Sequence, residues 1–208
     1  IADAGIASDA VTYRVNVTAA YNVFSAAAML GIPRVVWASS ETIFGVPFRT
    51  PPSSVPITDE HPIQPGNSYA LSKVVCEETA RHMHRWTPST TFLGLRFGFI
   101  RDEGDYWFFR AVAGDPNHRS ASLWNYVDSR DAARAVRLAV ESSWRGVDNF
   151  LISAADTVMD VETAELLRAA HPVVQRMRPF KARESLFSAD KARGAFGYTP
   201  QFSWRDMV

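Results

Sequence analysis

Apolar residues recur at three-four spacing over residues 14–30, where Val17, Ala20, Tyr21, Phe24, Ala27 and Ala28 share one side, and the pattern predicts a helix stopped by Gly31 and Pro33. Arg34-Val35-Val36-Trp37-Ala38-Ser39-Ser40 then predicts a buried strand over 34–39. Proline at 47, 51, 52, 56, 62 and 65 denies regular structure to residues 44–65, which are expected to run over a substrate mouth. A helix is predicted over 66–86, and the almost wholly apolar stretch 90–100 predicts a buried parallel strand. Helix and strand alternate, so the fold class is α/β: a parallel sheet flanked by helices.

Beyond Ile100 the texture changes. Tyr106, Trp107, Phe108, Phe109 and Val112 predict a short helix over 105–113 in a second lobe. Asp128 reads as a helix N-cap with Asp131 at the third helical position, and Ala132, Ala135, Val136, Leu138 and Ala139 follow as an apolar stripe. A returning strand is expected at 149–153 and a further helix at 160–170. Four segments result: 1–100, 101–127, 128–156 and 157–208.

The candidate chemistry lies in Tyr69-Ala70-Leu71-Ser72-Lys73, 29 residues after Ser40. On a helix a spacing of four puts Tyr69 and Lys73 on one face, one turn apart. The chain has three Lys, at 73, 181 and 191, so this pairing is rare by chance. A cation about 4 Å from the phenol is worth roughly 4 kcal/mol at an effective dielectric of about 20, which could lower the phenol pKa by up to roughly three units. The positive end of the helix acts in the same sense. Ser40, closing its strand, would hold a substrate oxygen.

Composition narrows the class without naming a reaction. The chain of 208 residues is 47% hydrophobic with 22 basic and 22 acidic side chains, so it can bury one sizeable core and has no general attraction to nucleic acid or membrane. Cys76 is the single cysteine and excludes an internal disulfide; with no 18-residue apolar run and no visible signal peptide, the cytoplasm is expected. His82 and His84 point to different faces of their helix, and His61, His118 and His171 lack partners at ligand spacing, so no metal site is expected. Arg168, Arg176, Arg178, Lys181 and Arg183 read as a solvated basic face, and no G-x-S-x-G elbow supports hydrolysis.

The order of Asn16-Val17-Thr18-Ala19-Ala20-Tyr21-Asn22-Val23 opening a helix, the strand ending in Ser39-Ser40, Ile43-Phe44-Gly45, Thr58-Asp59-Glu60-His61-Pro62 and the Tyr69/Lys73 helix resembles the extended short-chain dehydrogenase/reductase family of NAD(P)-dependent sugar epimerases, dehydratases and dehydrogenases. The resemblance is most specific from Asn16 to Gly98. It implies a Rossmann-like sheet, with 1–100 and 128–156 as a nucleotide-binding part and 101–127 and 157–208 as a small substrate lobe. It also implies hydride transfer with NAD or NADP: Tyr69 as acid/base, Lys73 tuning it and binding the cofactor ribose, Ser40 orienting the substrate oxygen, and Asn16, Ser39 and the Gly98 backbone lining the cofactor. None of the 11 Gly falls into a dinucleotide-binding fingerprint, so the resemblance further implies that Ile1 enters after the fourth strand of that part, its N-terminal strands being missing, and that an N-terminal segment of several tens of residues is to be expected.

The substrate side includes Ser40, Glu41 and Phe99. Dehydratases of the family carry an acidic pair after the catalytic hydroxyl, whereas Glu41 is followed by Thr42, which argues against 4,6-dehydration. Glu41 alone is as compatible with a solvated loop charge. Phe99 stands where the nucleotide-sugar enzymes commonly carry Asn, which points to a free sugar, a sugar acid or a ketone. The family also implies a homodimer through helices 14–30 and 66–86. An alternative is a catalytically silent member that senses dinucleotide or binds a partner.

Overall fold

The computed structural model describes residues 5–207. The expectation about Ile1 lies outside them. The chain folds as α1 (Asp9–Met29), β1 (Arg34–Ser40), β2 (Ser54–Val55), α2 (Ser68–Trp86), β3 (Thr91–Phe97), β4 (Ile100–Arg101), α3 (Tyr106–Val112), β5 (Val127–Asp128), α4 (Ser129–Glu141), β6 (Val147–Ile152), α5 (Thr163–Ala170), β7 (Gln175–Arg176) and α6 (Asp190–Phe196). The expected α/β alternation is present. Helix α1 begins at Asp9, so Asn16 lies two turns inside it instead of opening it.

The central sheet has the order β1-β3-β6, all parallel, with Ser40 level with Phe97 and Phe97 level with Ile152. Its carboxyl ends therefore meet at one edge, where open α/β sheets bind ligands. Strand parity assigns the two faces. Val35, Trp37 and Phe92 pack with Phe24, Ala27, Ala80 and Met83 of α1 and α2. Leu93, Leu95, Phe97, Phe150 and Ile152 pack under α4 and α6. Gly94 is required where the Trp37 indole and Asn149 cross the strand: a Cβ there would stand 2.1 Å from Asn149 Oδ1 and 2.9 Å from Trp37 Cζ2.

A third core lies beyond the carboxyl ends of the strands. It joins Ile43 and, from the proline-rich segment, Phe44, Val55 and Ile57 to Tyr106, Phe109, Trp124, Tyr126, Leu166 and Trp204. The proline-rich segment contributes only the two-residue strand β2, which pairs with β7. Asp128 caps α4 by accepting from Arg130 N at 2.8 Å, as its position predicts. Asp131 acts over a longer range. Its buried carboxylate accepts from Gln201 N and Phe202 N at 2.8 and 3.0 Å and clamps the C-terminal tail to the sheet side.

Candidate active site

Asn67 starts α2 by accepting from Ala70 N at 2.8 Å, which fixes the turn that carries Tyr69. One turn on, Lys73 Nζ donates to Ala38 O at 2.8 Å, two residues before Ser40, so α2 is tied to the end of β1. The ammonium lies 5.4 Å from the Tyr69 ring centroid. Burial pushes the Lys73 pKa below its usual value, with neighbouring Cys76 pulling the other way. Ser40 Oγ accepts from Thr42 N at 3.2 Å and Thr42 Oγ1 at 3.0 Å. A hydroxyl that accepts twice keeps its own proton for a third partner.

Asn16 Nδ2 donates to Ser72 Oγ at 3.1 Å, and Ser72 Oγ donates to Tyr69 O at 2.6 Å. Asn16 thus braces the backbone of Tyr69 from α1. Ser39 faces α2 by strand parity, and its hydroxyl donates to the buried carboxylate of Glu77 at 2.6 Å. Gly98 N donates to Ile152 O at 3.0 Å, and a Cβ on Gly98 would stand 2.6 Å from Asn125 Nδ2, so only glycine admits that amide. Cys76 is buried with Sγ 3.8 Å from Asn16 O.

Glu41 is no solvated loop charge. It is 5% exposed, Asn125 Nδ2 donates to its Oε2 at 2.6 Å, and the Phe99 backbone bonds it as well. Burial raises its carboxyl to about 7 against the pull of Asn125 and Arg119. The Phe99 ring is covered by two guanidinium groups, with Arg101 Cζ 3.7 Å and Arg119 Cζ 4.1 Å from its centroid.

A second buried charge cluster lies behind Ser39. Arg96 makes a two-toothed pair with Glu77 at 3.0 and 2.8 Å and reaches Asp59 Oδ1 at 3.0 Å, while Leu151 N donates to Asp59 Oδ2 at 3.2 Å. Burial works against the Arg96 charge, but Glu77 and Asp59 outweigh it and hold its pKa above the usual value. A cavity of about 300 Å³ opens between Gly45–Thr50 and Gln64, Gly66 and Asn67, next to the first turn of α2.

Sequence reasoning named neither cluster in full. Arg96 inside the otherwise apolar run Thr91–Phe97 was a readable signal, since a buried charge demands a counter-charge. Asn125 and Arg119 gave none, because Asn125 meets Glu41 across 84 positions of sequence.

Residues 2–98 match the NAD dependent epimerase/dehydratase family. UDP-glucose 4-epimerase of Bacillus subtilis (strain 168) is 31% identical over 128 residues, 62% of this chain and 35% of that protein. UDP-glucose 4-epimerase 2 of Oryza sativa subsp. japonica is 29% identical over 85 residues, 41% of this chain and 20% of that protein. The chain thus spans between a fifth and about a third of the length of these curated relatives. Among solved structures, a short-chain dehydrogenase/reductase superfamily protein from Agrobacterium tumefaciens with bound NAD has a TM-score of 0.70 at 20% identity, covering 100% of this chain and 75% of that one. UDP-glucuronic acid 4-epimerase from Bacillus cereus in complex with NAD has a TM-score of 0.64 at 14% identity, covering 92% and 64%. These likenesses establish a Rossmann-like fold. On the match of residues 2–98, just under half of its length, this chain is similar to the NAD dependent epimerase/dehydratase family.

Proposed function

We propose that this chain belongs to an NAD(P)-dependent sugar epimerase or dehydrogenase that works by hydride transfer at a secondary alcohol or carbonyl. The observation that carries the reading is the tie of Lys73 to Ala38 O, which brings the Tyr69 turn to the strand end that bears Ser40. The relatives named above are UDP-sugar epimerases or proteins solved with NAD, which supports the same class.

The residues present suit the nicotinamide end of the cofactor. An ammonium has three N–H donors, and one of those on Lys73 is used by Ala38 O, leaving two for a ribose diol. When bound, the cofactor supplies the hydride acceptor and donor. The protein's part is proton transfer and alignment. Tyr69 takes the proton of the substrate hydroxyl in the oxidative direction and returns it to the carbonyl oxygen in the reverse one. Ser40 donates its remaining hydroxyl proton to the same substrate oxygen, and Lys73 keeps a positive charge beside the phenol. Asn16 and Ser39 serve this arrangement through Ser72 and Glu77.

Two copies are proposed to pair through α1 and α2, which expose Tyr21, Val23, Met29, Leu71 and Trp86. Among the described residues no helix is long and apolar enough to cross a membrane, and the cytoplasm stays our expected compartment.

Tyr69→Phe tests the mechanism. Turnover on a panel of sugars, sugar acids and ketones should fall by about 10²–10⁴-fold while NAD(P) binding stays within twofold. Unchanged turnover rejects Tyr69 as the acid/base. Net absorbance change at 340 nm would assign a dehydrogenase, and interconversion without it an epimerase.

A further inference from the structure

Resting on the redox reading of Ser40, Tyr69 and Lys73, we propose that Arg101 and Arg119, seated on the Phe99 ring, form the subsite for a small oxyanion on the substrate: the carboxylate of a sugar acid or the phosphate of a sugar phosphate. The first argument is position. Phe99 and Arg101 follow the carboxyl end of β3, the strand whose Phe97 pairs with Ser40. Arg119 Nη2 donates to Asn125 O at 2.9 Å, and the Asn125 amide holds Glu41, the residue next to Ser40. Arg119 is thereby linked through Asn125 and Glu41 to the strand end that bears Ser40.

The second argument is unmet bonding. A guanidinium carries five N–H donors. Among the described residues the Arg119 guanidinium donates one hydrogen bond, to Asn125 O, its Nε is buried without a partner, and it forms no ion pair. Glu41 is near enough to favour the Arg119 charge, yet it bonds the Asn125 amide and the Phe99 backbone and forms no ion pair with Arg119. Arg101 has only a partly exposed partner, Asp105, at 3.3 Å.

The third argument is charge. Burial lowers the Arg119 pKa most, Glu41 raises it, and Arg101 lowers it by a smaller amount, so the two guanidinium groups repel each other across one aromatic ring. Such a pair is relieved by a ligand that brings negative charge and several acceptor oxygens, and planar guanidinium groups bind carboxylate and phosphate in two-toothed fashion. A neutral sugar would satisfy donors but leave the repulsion.

Calorimetric titration of the protein with D-glucuronate, D-glucose 6-phosphate and D-glucose tests this. One of the two anions should bind at least about tenfold more tightly than glucose, the worth of one charge-assisted pair, and which one does so identifies the source of the oxyanion. Arg119→Leu should remove that advantage. Arg101→Gln, at a partly exposed site, should reduce it by about threefold and serves as the test if Arg119→Leu unfolds early in a thermal melt. Tyr69→Phe should leave the ratio of anion to glucose affinity within twofold, which separates this subsite from the redox reading: turnover in that variant judges the chemistry, and the affinity ratio judges the subsite. Anions that bind no better than glucose, or an affinity that survives both arginine substitutions, would overturn the proposal.

Discussion

Two glutamates lie at nearly the same depth, Glu77 at 3% exposure and Glu41 at 5%, and the protein treats them in opposite ways. Glu77 accepts two bonds from Arg96 and one from Ser39, so both of its oxygens have donors. Glu41 has an amide and a backbone N–H, its nearest cation stands off, and its carboxyl is raised to about 7. Burying a charge is tolerated when it is paired in full, and the Glu77–Arg96 pair does this behind Ser39 as scaffolding. Around Glu41 the pairing is incomplete, and the incomplete region is the one that borders Ser40. A carboxyl that titrates near neutral pH and a guanidinium with idle donors are costly to a fold and useful to a binding site.

The comparison can be broken most forcefully at Glu77. Glu77→Ala strands Arg96 with Asp59 alone in the interior and should cost about 3–5 kcal/mol by urea unfolding. A loss below about 1 kcal/mol would mean that the cluster behind Ser39 is not the scaffold described.

Glu41→Gln should act with the opposite sign. The folded protein holds the Glu41 proton up to about pH 7, whereas the unfolded chain releases it near the ordinary glutamate value of 4.5. Between those values the unfolded state binds fewer protons, so wild-type stability falls as pH rises and then levels off above about 7. The neutral variant escapes this penalty. It should match the wild type at pH 4 and exceed it at pH 8 by up to about 3 kcal/mol, read from urea unfolding at both pH values. Asp59, also raised by burial, to about 6, is present in both proteins and drops out of the difference.

The smallest effect is expected at Ser39. Ser39→Ala removes one donor from a carboxylate that keeps Arg96, so the loss should be roughly 1–2 kcal/mol, with NAD(P) affinity changed by less than twofold. A fall in cofactor affinity without a fall in stability would return Ser39 to the cofactor side of the pocket.

The chain announces much of this locally. Three-four spacing in α1 and α2, the buried runs of β1 and β3 and the proline-rich 44–65 are local properties, and Asp128 caps α4 where its position says it should. The spacing of Tyr69 and Lys73 puts both on one helix face with no tertiary contact needed. Asp131 and Glu41 escape a local reading for a shared reason. Asp131 looks from its neighbours like a first-turn helix acid and Glu41 like a loop acid, and each is buried by a partner supplied from 70 or 84 positions away.

What the sequence by itself determined, then, is the alternation of elements and the chemical inventory, because backbone periodicity and helix spacing act over a few residues. The tertiary structure alone decided which charges meet. It turned Ser39 inward to Glu77, set Arg96 between two acids, and left Arg119 and Arg101 on Phe99 without full pairing. Pairing of buried charge depends on distance in space and on the loss of water around it, and neither quantity is written in the order of residues.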